Sequence, residues 1–275
     1  MKELGTLSSL LINRFSPNGA YLALRNGEEV LLPQGYLKGD EKEGDEIEVF
    51  IYTDSEDRPV AVTQRPVAME GEFAVMEVKE MTKFGAFMDW GLPKDLFVPK
   101  SEIGKPMEEG GKYLVRVCID HRTNRLIGVA KYEDFLITDT QGFKQGDEVS
   151  ALVFDKTDLG YKALIEGKFE GLLYENEIFK RIEIGETLKA YIKKVREDGK
   201  LDLILTAPGR EKYDEGAQLI LDTLREKTFL PLHDKSSPEE IKGVLGMSKK
   251  HFKQSIGQLY KDRKIKILPD GISLI

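Results

Sequence analysis

The chain has 275 residues, with 41 Lys and Arg against 48 Asp and Glu, a net charge of −7 and 40% apolar residues. That composition supports packed cores and excludes a disordered chain. No run approaches the ~18 apolar residues of a spanning helix, and the opening Met1-Lys2-Glu3-Leu4, soon interrupted by Asn13-Arg14, does not read as a signal peptide. The single cysteine, Cys118, allows no internal disulfide, and no ligand cluster points to a metal or other cofactor. The expected setting is the cytoplasm, without a membrane.

Self-comparison shows an internal repeat. A shift of 66 residues places Gly5, Gly19, Gly44 and Val60 on Gly71, Gly85, Gly110 and Leu126, and a shift of 141 places them on Gly146, Gly160, Gly185 and Leu201. The segments between agree: "GAYLAL", "GAFMDW" and "GYKALI" follow the second glycine, and Pro33, Pro99 and Tyr174 share a later column. An alternating strand follows the third glycine (Ile47/Val49/Ile51, Tyr113/Val115/Val117, Leu188/Ala190/Ile192), then a polar turn, then a short apolar strand. About five short strands per ~60 residues predicts a small barrel in each copy. Three tandem five-stranded barrels are therefore expected at 1–66, 67–134 and 135–208, restrained by spacers that are not Ser/Gly-rich.

From Ala207-Pro208-Gly209 the period turns helical. Tyr213, Ala217, Ile220, Leu221 and Leu224 predict one helix. Ser237-Pro238-Glu239-Glu240 is a capping box opening a second, which is expected to bury Ile241, Val244 and Leu245. Ser248 caps a third, expected to bury Phe252, Ile256, Leu259 and Tyr260, and Leu268-Pro269-Asp270-Gly271 turns a hairpin. This order predicts a small α+β winged helix at 209–275.

The middle copy reads "KFGAFMDW…DLFVPKSEI…VCIDHRTNRLIGVA", which resembles the S-one type of OB-fold RNA-binding domain. The resemblance implies RNA-facing aromatics at Phe84 and Phe87, an acid at Asp120, and basic residues at Arg125 and nearby Arg122, with Pro99 in the family's histidine column. Exposed rings offer stacking surface to unpaired bases; alternation alone equally allows Phe84 and Phe87 to fill a barrel core. The three-residue spacing across Gly85 suggests a bulge turning both rings to one face. The first copy holds Asn18 and Tyr21 in the aromatic columns, with Asp54 and Arg58 as its acid/basic pair. The third holds Leu159 and Lys162 with Tyr161 between them and Tyr174 in the histidine column, has no acid/Arg pair, and could serve mainly as a spacer.

In the winged helix, Lys249, Lys250 and Lys253, then Lys261, Arg263, Lys264 and Lys266, give residues 235–275 a local charge of +5 and leave −12 on the rest. Such asymmetry fits a nucleic-acid contact, or a solvated lysine face. The order of three such barrels and a winged helix, with "GLLYENEIF" and "KKHFKQSIGQLYKDRKIKI", is similar to the conserved virulence factor B family of bacterial RNA-binding proteins. The resemblance implies RNA binding with effects on gene expression and virulence.

No nucleophile elbow, phosphate loop or metal-ligand spacing appears, so no enzyme is expected. The reading is a monomeric, non-catalytic binder of single-stranded RNA, with the ribosome or RNA-processing machinery as further partners. A duplex-DNA regulator using the winged helix and a protein-interaction scaffold are the alternatives.

Overall fold

A computed structural model describes residues 2–178, 181–205 and 215–275. The chain divides into two compact units, 1–207 and 208–275. The first is mainly β, and the strands repeat in the order expected from the glycine columns.

The first barrel comprises β1 (Leu7–Ser16), β2 (Gly19–Ala23), β3 (Glu29–Pro33), β4 (Glu46–Thr53) and β5 (Pro59–Val62), closed in the order β1-β2-β3-β5-β4. The second comprises β6 (Phe73–Thr82), β7 (Gly85–Asp89), β8 (Leu96–Pro99), β9 (Lys112–Asp120) and β10 (Arg125–Val129). The third comprises β11 (Glu148–Thr157), β12 (Gly160–Ile165), β13 (Phe169–Tyr174), β14 (Thr187–Val195) and β15 (Leu201–Ile204), again closed. A parallel ladder closes the outer two, at Leu31↔Val60 and Gly171↔Leu201. In the second, the sheet runs β10-β9-β6-β7-β8 without that ladder. Its edges meet instead through side chains: the space a Cβ would take at Gly128 is bounded by Val98 and Leu96 of β8.

The repeated glycine before β2, β7 and β12 is a steric requirement. Gly19, Gly85 and Gly160 hold φ of +141°, +154° and +144°, and a Cβ there would lie 2.0, 2.1 and 2.0 Å from the carbonyl oxygens of Leu32, Val98 and Leu173. No side chain fits at such a contact. The hydroxyls of Ser16, Thr82 and Thr157 donate across the same turns to the carbonyls of Gly19, Gly85 and Gly160.

The bulge expected at Gly85 lies one strand earlier. The ladder slips between Ile12 and Arg14, Val78 and Glu80, and Val153 and Asp155, so the extra residue is Asn13, Lys79 or Phe154. The glycine turn is too tight for an inserted residue, whereas the long first strand must coil to close the barrel.

The first two barrels share one core. Trp90, at the end of β7, is 2% exposed and packs edge-on against Phe50 and Tyr52 of β4, with centroids 5.8 and 6.3 Å away. Its indole N–H donates to the Lys94 carbonyl at 2.6 Å. The spacer contributes buried Ala68 to the same cluster. Between the second and third barrels, Leu114, Tyr132, Phe154 and Leu164 form a smaller cluster, and burial there pushes the Tyr132 phenol well above its ordinary range. The spacer here holds one 3-10 turn, Glu133–Phe135.

The second unit comprises α1 (Glu215–Lys227), β16 (Phe229–Leu230), α2 (Pro238–Leu245), α3 (Lys249–Lys261), β17 (Ile265–Leu268) and β18 (Gly271–Leu274), with the sheet ordered β16-β18-β17. This is a winged helix. The capping box at Ser237 and Glu240 forms as predicted, Gly246 ends α2 in the left-handed region, and Ser248 caps α3 by accepting from the His251 N–H. Two helix-period expectations fail: Val244 is 48% exposed and Tyr260 is 59% exposed. Leu245 and Leu259 are buried as expected, in line with Ile241 on α2 and with Phe252 and Ile256 on α3, and each exposed residue lies about 100° around the helix from its buried neighbour. Tyr213 lies outside the described residues.

Candidate nucleic-acid interface

The open aromatic surface is on the second barrel. Along β7, Ala86 and Met88 face inward and are fully buried, which turns Phe87 outward. Its ring packs on Phe97, directly opposite on β8, with centroids 5.1 Å apart. Phe97 escapes motif matching, but its cross-strand position beside Phe87 follows from hairpin register. Phe84 stands in the turn before β7, 68% exposed. Its backbone is held at both ends: the N–H donates to Thr82 Oγ1 at 3.2 Å and the carbonyl accepts from Lys100 at 2.8 Å. The Lys83 ammonium sits 4.8 Å from the ring centroid, a cation–π contact. Neither ring is a core residue.

The motif's charged residues are employed elsewhere. Asp120 accepts from the Thr123 hydroxyl at 2.7 Å and the Arg122 N–H at 3.0 Å, organising the β9–β10 turn. Those bonds, the hydroxyl foremost, hold its carboxyl below the ordinary carboxylate range. Arg125 pairs with Asp57 of the first barrel rather than with Asp120. The Arg122 side chain is exposed.

In the first barrel the equivalent outward aromatic is covered. The Arg14 guanidinium lies 3.7 Å above the Tyr21 ring, its partner across the β1–β2 ladder. Arg14 is fixed by Glu29, at 2.6 Å from Nη2 and 3.0 Å from Nε. The Arg14 bonds, followed by one from Asn13, hold the Glu29 carboxyl below its usual range. Arg58 binds Asp54 at 2.7 Å and Glu56 at 2.8 Å, so the expected acid/basic pair is a real ion pair.

In the third barrel the column of Phe87 holds Lys162, which lies 3.6 Å from Glu170, while its ladder partner Asp155 pairs with Lys105 of the second barrel at 2.8 Å. Tyr161 is half-buried against the barrel core, with the Lys156 ammonium 5.3 Å from its ring. Tyr174 donates to Asp202 at 3.2 Å, and Lys193 stands 5.7 Å from its ring. Arg196 bridges Asp198 at 2.7 Å and Asp202 at 3.7 Å. The acid/Arg pair missing from the third copy's motif columns is thus supplied by neighbouring positions. Phe179, at the end of "GLLYENEIF", lies outside the described residues.

On the winged helix, Lys250, Lys253, Lys261, Arg263 and Lys264 are exposed and Lys249 is half-exposed. Among the described residues no three His, Cys, Asp or Glu gather as metal ligands, and no helix is long and apolar enough to cross a membrane.

Comparison with known proteins agrees with this architecture. Residues 218–274 match the CvfB-like winged helix domain and residues 4–64 match the S1 domain. Conserved virulence factor B of Staphylococcus aureus strains N315 and USA300 is 29% identical over 259 residues, covering 90% of this chain and 86% of the relative. Over most of its length the chain is similar to conserved virulence factor B. A solved multidomain protein with nucleic acid binding domains from Streptococcus pneumoniae is 26% identical over 100% of this chain and 99% of its own, at a TM-score of 0.48. The S1 match falls on the barrel whose aromatic column is capped by Arg14, so likeness to conserved virulence factor B does not itself say which barrel carries an open surface.

Proposed function

We propose that the chain is a non-catalytic binder of single-stranded RNA, acting in the cytoplasm as a monomer in post-transcriptional control of gene expression, with RNA-processing machinery or the ribosome as partner. The observation that carries this reading is the second barrel's open aromatic surface: Phe84 is 68% exposed on a backbone hydrogen-bonded at both ends, beside the outward Phe87–Phe97 pair. Unpaired bases can stack there at ~1–3 kcal/mol each. A duplex hides its base faces and would leave those rings unused. The CvfB-like winged helix and S1 domain support a nucleic-acid partner. The winged helix adds phosphate attraction through its local +5, while −12 on the remainder disfavours indiscriminate backbone binding.

Fluorescence anisotropy of the full chain with labelled single-stranded RNA and duplex DNA of equal length, from about 50 to 200 mM salt, tests the proposal. RNA should bind more tightly, with a shallow salt dependence because stacking contributes much of the affinity. Tighter binding of duplex DNA with a steep salt slope would replace this reading with that of a duplex regulator.

A further inference from the structure

The second and third barrels meet around a cleft of about 150 Å³ that shares no residue with the open aromatic surface. Its apolar lining includes Leu114 and Phe154, both buried, and the rings of Tyr113 and Tyr132. A cavity of about that volume holds one benzene-sized ring. Tyr132 stands edge-on to Phe154 with centroids 5.2 Å apart, so aromatic side chains already shape the space.

The two tyrosines differ in what their hydroxyls do. Tyr113 accepts a hydrogen bond from the Glu108 N–H at 3.1 Å. Tyr132 is 8% exposed, and among the described residues no group hydrogen-bonds to its hydroxyl. A phenylalanine would fill the same place without the cost of burying an unmet hydroxyl, so packing accounts for the ring and not for the oxygen. Burial first, then the carboxylates of Glu133, Glu170 and Asp155, push this phenol up, which keeps it a neutral hydrogen-bond donor in the physiological range. What it lacks is an acceptor.

The charges around the cleft are already balanced. The Lys105 ammonium reaches across the two barrels to Asp155 at 2.8 Å, and Lys162 lies 3.6 Å from Glu170. Glu133 adds a further carboxylate to the lining. Neither lysine is left to hold a phosphate. We propose that this cleft binds one small uncharged heteroaromatic ring, of the class of a free pyrimidine base: the ring lies among Tyr113, Tyr132 and Phe154, and a ring carbonyl accepts from the Tyr132 hydroxyl. Volume admits a single ring, the aromatic lining favours a flat one, and the balanced charge favours one without net charge. A base still attached to phosphate would bring that phosphate towards Glu133, Asp155 and Glu170. The proposal goes beyond the RNA reading, and neither depends on the other.

The test titrates the full chain with uracil, followed by calorimetry and by the melting temperature. A Kd of about 1 mM is expected, modest for a single ring, and the melting temperature should rise as uracil is added because only the folded cleft binds it. Tyr132→Phe should melt at or above the wild-type temperature yet bind uracil about fivefold more weakly, since one hydrogen bond is lost. Tyr191→Phe is the control: its hydroxyl donates to Glu148 at 3.3 Å, outside the cleft, and its loss should leave uracil binding unchanged. Uridine monophosphate, the same ring with a phosphate, should bind the wild-type chain at least about tenfold more weakly. No uracil binding up to about 20 mM, or equal affinity in wild type and folded Tyr132→Phe, overturns the proposal. Should that variant not fold, equal affinity of the wild-type chain for uracil and uridine monophosphate overturns it instead. Displacement of uracil by single-stranded RNA would assign the ring to a strand and overturn the free-base assignment while leaving the RNA reading standing.

Discussion

The first and second barrels share strand order, glycine turns and a continuous core, yet present opposite surfaces at one cross-strand position. In the first, β1 supplies Arg14 opposite Tyr21, and Glu29 clamps the guanidinium onto the ring. In the second, the corresponding pair is Glu80 opposite Phe87, no guanidinium among the described residues covers the ring, and Phe97 enlarges the aromatic surface from β8. One scaffold thus carries a covered aromatic column and an open one. The difference shows that a repeated fold need not repeat its surface: the glycines that dictate the backbone are common to all copies, while one charge on the neighbouring strand decides whether a ring is covered or open.

The largest expected effect concerns what the two barrels share. Trp90→Ala removes the indole lodged against Phe50 and Tyr52 and should cost about 3–5 kcal/mol in urea unfolding. A loss below ~1 kcal/mol would mean that the two barrels are energetically independent despite their common cluster. The second effect addresses the open column. Phe84→Ala with Phe87→Ala should weaken single-stranded RNA binding at least about tenfold, from a loss of ~1.4 kcal/mol or more of stacking.

A conversion experiment is sharper still. Asp95 occupies in the second barrel the repeat position of Glu29, so Glu80→Arg can rebuild the cap of the first barrel over Phe87. Despite making the protein more positive by two charges, this change should weaken RNA binding by about 1 kcal/mol. Stronger binding in the anisotropy assay would show that charge outweighs stacking at this site.

The smallest effect is a pH signature of the closed column. Because Arg14, then Asn13, lowers the Glu29 pKa in the folded chain, the clamp contributes stability above the unfolded value of about 4.3 and loses it as pH falls through the lower folded value. Glu29→Gln should therefore differ from wild type in urea midpoint at pH 7, and the difference should shrink as pH falls below the ordinary carboxylate range. A difference that does not shrink with acidification would mean that the ion pair does not contribute.

Much of the architecture was legible because steric constraints recur. Gly19, Gly85 and Gly160 leave no room for a side chain, so the chain repeats them in register, and the Ser237–Glu240 box and the Pro-Asp-Gly turn announce the winged helix. The outward face was less legible. Period-2 alternation places Tyr52 and Phe97 on the outside of their strands, but it cannot tell that Tyr52 is covered by Trp90 while Phe97 stays accessible. Nor can it show that Arg125 is drawn to Asp57 of a neighbouring barrel, because that pair joins residues 68 positions apart. On α3, both Leu259 and Tyr260 suit the apolar period, and only packing against the other elements decides that Leu259 turns inward.

The central claim is that stacking on the second barrel, and not on the first, carries recognition of the strand. Its most direct test is the anisotropy of labelled single-stranded RNA with the full chain, comparing Tyr21→Ala and the Phe84→Ala/Phe87→Ala double variant after circular dichroism shows both folded. Tyr21→Ala should change the affinity less than about twofold, and the double variant should lose at least about tenfold. Wild-type affinity in the folded double variant, or an equal loss in Tyr21→Ala, would contradict it.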